Sequence, residues 1–346
     1  MLAHRVLLFS RKRTLATIGL LVLSCLPVAG FAPQTTEPSA DLARAGSLIE
    51  QGKVEEAISL LNALAAGNPN LPGLEAKLGK AYYEKRDYPE AIRHLGLALK
   101  EQPSHGESTQ LLGLAYYLSG HVQQAIPLLE KVQASLPRPD VTGSYILGIS
   151  YLNLYQFDKA RAAFARMFEV PPDSAGAHLA LAQMMMHHDF EEKALPELEK
   201  ALALDPRLPM AHFLLGEIYL YKGDVPTALD HFHREIEINP MLWLAYWRMG
   251  DAYTRIEKWD EAERALKQSI WLSETFSGPF ILLGKVELKK DDAQLAAGFL
   301  ERALKMDPNN FSAHFLLGSA YKQLGRNQEA DREFELSKSL RGNSNP

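Results

Sequence analysis

The sequence predicts an all-α solenoid in which antiparallel helix pairs stack in series. Three markers recur together every 34 residues: a Leu-Gly or similar pair, an alanine twelve positions after the small residue, and a proline twenty-four positions after it. A period of this length is typical of repeat proteins, in which each copy contacts only its neighbours. The chain of 346 residues is therefore expected to grow in length without enlarging any single core.

The first segment, residues 1–32, has the order of a secretory signal peptide. A basic cluster at 11–13 precedes an apolar stretch over 15–26 that is short for a membrane span, and small residues end the segment. We expect cleavage after Ala32 or Gly30. The repeats would then be exported to the periplasm or the cell exterior.

Two other fates of this leader stay open. The run Val-Leu-Ser-Cys ending at Cys25 resembles a lipobox, in which the cysteine becomes a lipid-modified N-terminus. An uncleaved anchor over 14–32 is the other alternative, with the basic cluster on the cytoplasmic side. Both would leave the repeats membrane-anchored and facing away from the cytoplasm. Because Cys25 is the only cysteine, no disulfide or cysteine-metal site is expected in the repeats.

After the leader, residues 33–39 are Pro, Thr, Gln and Glu without periodicity, which is typical of a flexible linker. Nine repeat copies are expected over 40–342, followed by a disordered tail at 343–346. One step is 35 residues instead of 34, between Gly113 and Gly148, and we expect its extra residue in a loop.

The recurring markers have mechanical roles in such a stack. Glycine or alanine at a crossing lets two helices approach closely, because a larger side chain there would overpack by ~1 to 3 kcal/mol. Proline lacks a backbone donor, so it is expected to end the second helix of each copy. The positions given this structural role are the crossing residues Gly79, Gly113, Gly148, Gly216, Gly250, Gly284 and Gly318 and the alanines Ala91, Ala125, Ala160, Ala228, Ala262, Ala296 and Ala330.

This signature resembles the tetratricopeptide repeat over nearly all of the exported chain. The Leu-Gly pairs, the following tyrosines such as Tyr82 and Tyr253, the alanines and the prolines carry the resemblance. It implies a right-handed superhelix whose first helices line a concave groove for a peptide or a partner helix. The eighth copy departs from the pattern, with Glu287 in place of the tyrosine and Glu274 in place of the proline.

The resemblance also implies which side chains line the groove: those three before, one after, and four to five after the small residue. In copies three to seven these positions are largely apolar and aromatic, which is typical of a surface that accepts an apolar or amphipathic segment. Several of them could instead continue the core between neighbouring first helices. The groove residues expected to contact a partner are Leu114, Tyr117, Tyr145, Ile149, Leu152, Met186, Phe213, Leu220, Tyr221 and Trp247.

Other classes of protein are disfavoured by charge and by missing motifs. Without residues 1–32 the chain has 42 acidic against 33 basic side chains, so a general nucleic-acid binder is not expected. We recognise no phosphate-binding loop, dinucleotide fingerprint or nucleophile elbow. We therefore expect no enzyme activity and no cofactor.

Histidines form the only clusters that suggest metal ligands. His187 and His188 are adjacent, and His231 and His233 are two apart, so on a helix each pair points to different faces and cannot chelate alone. No metal site is expected. One repeat position holds a histidine in three copies, where core filling is the favoured interpretation: His178, His212 and His314.

The sequence therefore favours an extracytoplasmic scaffold that binds proteins, in the assembly of an envelope or secretion complex. An alternative is the non-catalytic arm of a glycan-processing or secretion enzyme complex. An enzyme in its own right is the least favoured interpretation.

Overall fold

The structure, a computed structural model, describes residues 37–138, 140–188 and 190–343. Within these ranges it contains eighteen helices and no strand, and the helices pair in chain order into nine antiparallel hairpins, called copies one to nine. This confirms the predicted all-α solenoid of helix pairs. The helices are α1 (Pro38–Glu50), α2 (Val54–Gly67), α3 (Leu74–Glu84), α4 (Tyr88–Glu101), α5 (Gly106–Leu118), α6 (Val122–Ser135), α7 (Val141–Asn153), α8 (Phe157–Met167), α9 (Ala175–His187), α10 (Glu191–Leu204), α11 (Ala211–Tyr221), α12 (Val225–Ile238), α13 (Trp243–Arg255), α14 (Trp259–Leu272), α15 (Ser277–Lys289), α16 (Ala293–Met306), α17 (Phe311–Gln323) and α18 (Asn327–Asn343).

The ends of the array differ slightly from the predicted boundaries. The leader over 1–32 with its Cys25 lies outside the described residues, as do 33–36 of the predicted linker and 344–346 of the predicted tail. Helix α1 begins at Pro38, inside the predicted linker, because the fixed φ of proline suits the first turn of a helix. In the described ranges, none of the helices is long and apolar enough to cross a lipid bilayer.

The crossing glycines lie where the two helices of a copy meet. A Cβ added at Gly148 would lie 2.3 Å from Phe164 Cε1, and one added at Gly216 would lie 2.4 Å from Phe232 Cε1. Real Cβ atoms do not approach so closely, so only glycine allows these rings to pack. The same contact, sixteen residues along the chain, joins Gly79 to Leu95, Gly113 to Leu129, Gly250 to Leu266, Gly284 to Leu300 and Gly318 to Phe334.

The alanines of the repeat register lie on the second helix of each copy, at the same helix crossing as the glycines. All seven positions given this role are at most 1% exposed, so a methyl group is all that the space between the helices admits. Ala182, the crossing residue of copy five, is also fully buried. Small side chains therefore hold every crossing from copy two to copy nine.

In eight of the nine copies the turn contains a left-handed residue that the sequence markers did not reveal; in copy five the equivalent residue, Asp189, lies outside the described residues. It stands seven positions after the small residue and has a positive φ. Glycine, which adopts this conformation without steric cost, occupies it in four copies. Four others use a residue with a side chain, so composition alone could not locate the turn: Gly52, Gly120, Gly223 and Gly325 against Arg86, Tyr155, Glu257 and Asp291.

The prolines mark the end of the second helices, but they are not required for it. Helix α10 ends two residues before Pro206. Helix α14 ends at Leu272 although Glu274 stands in the place of the proline. Helix α8 ends at Met167, five residues before Pro172, because Glu169 adopts a positive φ of 56°. The proline is therefore not required at the ends of α8 and α14, whereas α10 ends where the proline predicts.

The first helices form the inner wall of the solenoid. Each second helix contacts its own first helix and the first helix of the next copy. First helices also contact one another directly toward both ends of the array, as α1 does with α3 and α13 does with α15. Such contacts are sparse from α5 to α11, which leaves more room along the inner wall of copies three to six. One hydrophobic core runs beneath this wall from copy three to copy seven.

Candidate functional site

The predicted groove residues lie on the inner wall, on helices α5, α7, α9, α11 and α13. Four of the ten are core residues in this structure, with exposed fractions of 7% or less: Ile149, Leu152, Phe213 and Leu220. These four side chains pack between neighbouring helices and present no surface to a partner, so they are corrected to core positions. The reason is that these four side chains belong to the hydrophobic core that runs from copy three to copy seven.

The other predicted residues remain accessible. Tyr145 is 37% exposed, Tyr221 is 82% exposed, and Leu114, Tyr117, Met186 and Trp247 are half-buried. Leu118, next to Tyr117 on the inner wall, adds another exposed side chain. Burial raises the pKa of the Tyr117 phenol and the nearby Tyr145 adds to this effect, so α5 and α7 bring the two rings into one neighbourhood. Copies three to five therefore present an apolar and aromatic surface.

Copies six and seven present a polar surface beside it. Glu217 on α11 accepts a hydrogen bond from Arg248 Nη2 on α13, over 2.7 Å. Arg255 Nη2 donates to Asp251 over 2.9 Å, and its Nη1 donates to the backbone carbonyl of Leu220 over 3.1 Å. Burial raises the pKa of the Glu217 carboxyl, against the opposing effect of Arg248. The two acidic and two basic groups balance one another in charge.

Trp247 joins this polar surface to an aromatic cluster. The guanidinium of Arg248 lies 4.4 Å from the centre of the Trp247 ring. Phe276, just before α15, packs edge-on against the same ring with 4.9 Å between ring centres, and Trp243 stacks at 6.4 Å. These contacts fix the indole on three sides. The sequence analysis predicted Trp247, which stands three positions before the crossing glycine Gly250. It did not predict Arg248, because the position two before the glycine is not among those that the family resemblance assigns to the groove.

The histidines predicted to fill the core are buried, and each also has a polar partner nineteen residues later on the second helix. His178 Nδ1 lies 2.6 Å from Glu197 Oε2, and the equivalent atoms of His314 and Glu333 lie 2.6 Å apart. In copy six the partner is a second histidine: the Nδ1 atoms of His212 and His231 lie 3.0 Å apart. All three pairs share a nineteen-residue spacing, which is not among the recurring markers of the sequence.

The remaining cluster histidines do not converge. His231 faces His212, while His233 Nε2 lies 3.0 Å from the hydroxyl of Tyr253 on another face of α12. His187 and His188 lie at the end of α9, and Asp189 lies outside the described residues. In the part of the chain that the structure describes, no three His, Cys, Asp or Glu side chains are arranged to hold a metal ion.

Family models match most of this array. Models described as tetratricopeptide repeat match residues 48–103, 192–241, 245–279 and 299–332. A further model, described as anaphase-promoting complex, cyclosome, subunit 3, matches residues 84–167. The chain is a tetratricopeptide-repeat protein.

Among solved structures, the chain is similar to a chain of the APC/C hetero-tetramer Cut9-Hcn1, with 20% identity and a TM-score of 0.45. The match covers 83% of this chain, which spans 57% of the length of that one. It is similar to YrrB, described as a tetratricopeptide-repeat protein with an unusual peptide-binding site (18% identity, TM-score 0.46, 53% of this chain and 95% of that one). It is also similar to PilF of Pseudomonas aeruginosa (18% identity, TM-score 0.47, 56% and 88%).

Proposed function

We propose that this protein is an extracytoplasmic scaffold that binds an apolar or amphipathic segment of another protein along its inner wall. The observation that carries the proposal is the exposure of aromatic side chains there, with Tyr221 82% exposed and Tyr145 37% exposed, on helices otherwise packed into the core. Large aromatic side chains in a concave surface are the groups that supply most binding energy in protein interfaces.

The sparse contacts between first helices from α5 to α11 support the same conclusion. A partner segment lying on this part of the wall would bury the Tyr117 and Tyr145 rings and extend the core outward. Such burial is worth about 25 cal/mol for each Å² of apolar surface removed from water. The binding surface therefore lies where the solenoid is least closed on itself.

We propose no catalytic role for Glu235, a fully buried carboxylate of copy six, because local packing accounts for its burial. The fully buried Glu235 accepts hydrogen bonds from the backbone amides of Met210 and Phe213, over 2.8 and 3.2 Å. It thereby caps the first turn of α11, whose amides have no partner within the helix. Burial raises the pKa of this carboxyl and the amide hydrogen bonds oppose the rise.

A pull-down from the native compartment tests the proposal. The double variant Tyr145→Glu and Tyr221→Glu places two charges on the inner wall at exposed positions, so the fold is retained. Recovery of the partner should fall by about tenfold or more, as expected for the loss of central aromatic contacts. Trp271→Glu is the matched control, since Trp271 is 71% exposed on the second helix α14. Unchanged recovery with the double variant would contradict the proposal.

The location is a separate part of the proposal, supported by the leader over 1–32. Mass spectrometry of the purified protein identifies its first residue. A mature chain starting at Pro33 or Phe31 supports cleavage, and a lipidated Cys25 supports a lipoprotein. An unmodified chain that starts at Met1 and fractionates with the cytoplasm would contradict export.

A further inference from the structure

The inner wall changes from paired to unpaired charges between copy seven and copy eight. In copies six and seven the two arginines of the wall each form an ion pair with a carboxylate of the same wall. In copies eight and nine, three lysines of the first helices are exposed and form no ion pair with any described residue. We call these three residues the lysine surface: Lys285, Lys289 and Lys322.

The lysine surface continues the wall that carries the exposed aromatic side chains. Its two members on α15 stand at the repeat positions of Glu217 and Tyr221, and its member on α17 stands at the position of Tyr117. Helices α15 and α17 contact each other directly. The three ammonium groups therefore belong to adjacent strips of one surface.

Acidic residues of the same copies do not neutralise this surface. Helix α17 contains no acidic residue, and α15 contains only Glu287. Glu287 is 3% exposed, and burial raises the pKa of its carboxyl, which favours the neutral form. Asp291 and Asp292 lie in the turn after α15, where Asp292 caps α16. The neighbouring Lys290 differs from the lysine surface, because it forms ion pairs with two carboxylates of α14.

The arrangement of the lysines opposes helix stability. Lys285 and Lys289 are four residues apart on one helix, a spacing at which like charges lie side by side and repel each other. A carboxylate placed between them would remove this repulsion and accept charge-assisted hydrogen bonds from both ammonium groups. The lysine surface therefore has the chemistry of a site for anionic groups.

A protein segment fits this wall better than a nucleic acid does. Outside residues 1–32 the chain carries more acidic than basic side chains, 42 against 33, so a long polyanion would be repelled by most of the molecule. The apolar and aromatic surface of copies three to five lies on the same wall and requires aliphatic or aromatic groups. A polypeptide can supply such groups at one end and carboxylates at the other.

We propose that the lysine surface binds acidic side chains of the same partner segment whose apolar part lies on copies three to six. This inference rests on the proposed function, because it assigns the chemistry of one end of the segment that the inner wall binds. Helix α13 lies between α11 and α15 and contacts both. Two steps between neighbouring helices span about 20 Å, so roughly six residues of extended chain separate the group at Tyr221 from the first acidic residue.

Fluorescence anisotropy with synthetic peptides tests the proposal on the full exported chain. Each labelled probe has an apolar half of leucine, phenylalanine and serine, a glycine-serine linker of six residues and a polar half. The polar half is six glutamates in one probe and six glutamines in the other, and each probe is made in both orders. Both ends are blocked, so that no terminal carboxylate contributes.

The glutamate probe should bind about tenfold more tightly than the glutamine probe in at least one order, as expected for several exposed ion pairs. High salt should reduce this advantage. The triple variant Lys285→Gln, Lys289→Gln and Lys322→Gln should abolish it and leave the affinity for the glutamine probe unchanged. The matched control replaces three exposed lysines of second helices that have no ion pair, and it should keep the advantage: Lys100→Gln, Lys193→Gln and Lys305→Gln.

Three results would overturn the lysine surface as a site for acidic side chains. The first is no advantage of the glutamate probe in either order, with or without measurable binding. The second is an equal loss of the advantage in the control variant, which would show that only net charge matters. The third is equally tight binding of a six-nucleotide single-stranded DNA, which would show that any anion suffices.

Failure of the proposed function can be told apart from failure of this inference. Tyr145→Glu lies four copies from the lysine surface and should weaken both probes by a similar factor. If both probes bind this variant unchanged while the glutamate advantage still depends on the three lysines, the apolar part of the groove is wrong and the lysine surface stands.

Discussion

Copies five and six have the same backbone design and different chemistry at equivalent positions. In copy five, His178 pairs with Glu197, which also accepts a hydrogen bond from Lys200 over 2.8 Å. In copy six, His212 faces His231, and the His231 ring stacks on Tyr219 with 5.5 Å between ring centres. In copy five the pKa of the Glu197 carboxyl is lowered, because hydrogen bonds from Lys200 and His178 outweigh the effect of burial. In copy six burial lowers the pKa of both imidazoles. Copies that share one repeat fold can therefore differ in how their stability depends on pH.

The crossings of the two copies differ in the same way. Copy five has Ala182 at the crossing and Leu198 in the following helix, both fully buried. Copy six has Gly216 against the Phe232 ring. A glycine at the crossing does not require a ring opposite it, because Gly79 and Gly250 lie against Leu95 and Leu266. In a stack where each copy contacts only its neighbours, such local differences become differences in local stability.

Acidification gives the largest expected difference between the two copies. Burial, with help from His231 and Arg234, lowers the pKa of His212 from 6.5 to about 4, while Asp230 opposes this. The neutral form is favoured in the folded state, so stability is complete above pH 6.5 and declines as the pH falls toward 4. Copy six should lose on the order of 2 to 3 kcal/mol between these values.

Copy five should respond in a different pH window. Burial raises the pKa of Glu197, but hydrogen bonds from Lys200 and His178 outweigh it and the net pKa is lowered from 4.5. Its contribution to stability is therefore complete above pH 4.5 and is lost only below it. Hydrogen exchange, corrected for intrinsic rates, should show α11 and α12 losing protection before α9 and α10. Equal losses of exchange protection in both copies would contradict the predicted difference between them.

Exchanging one residue should transfer the pH response. His231→Glu gives copy six the His–Glu pair of copy five, and exchange protection of α11 and α12 should then stay constant from pH 6.5 to pH 4.5. Glu197→His is the reciprocal variant and should make copy five sensitive in that range. If the sensitivity of copy six persists in His231→Glu, another group is responsible for it.

Substitutions at the helix crossing are expected to give the next largest change in stability. Gly216→Ala places a Cβ 2.4 Å from Phe232 Cε1 and should destabilise the chain by about 2 kcal/mol. Phe232→Ala in the same chain removes the ring that the added Cβ meets, so the double variant should be more stable than the sum of the two single variants predicts. Ala182→Gly in copy five should cost about 1 kcal/mol. Denaturant titrations measure all four values, and a neutral Gly216→Ala would contradict the packing.

The smallest expected change in stability comes from the left-handed residue of the turn, which is compared between copy six and copy seven. Gly223 has a φ of 80°, while Glu257 holds the equivalent position with a φ of 58°. Left-handed backbone costs a residue with a Cβ ~1 kcal/mol, so Glu257→Gly should stabilise the chain by roughly 0.5 to 1 kcal/mol. Gly223→Ala should destabilise it by a similar amount. Thermal unfolding curves show both, and a loss of stability in Glu257→Gly would be inconsistent with strain at this turn.

The sequence predicted the fold because its signals are local and repeated. The period of Gly148, Gly216 and their equivalents indicates which helices cross, and the following alanines support the same register. Partner pairs such as His212 and His231 escaped prediction because they meet across two helices at a spacing that no marker emphasises. Single-sequence reasoning also could not separate the buried Leu152 from the exposed Tyr145, since burial depends on how closely successive first helices approach.

Site-specific photo-crosslinking tests the binding of a partner on the inner wall most directly. A benzophenone amino acid is placed at Tyr221 on the inner wall or at Trp271 on α14, two positions that are 82% and 71% exposed. Irradiation in the native compartment should join one protein partner to the Tyr221 position and none to the Trp271 position. Crosslinks from Trp271 with none from Tyr221 would contradict the account.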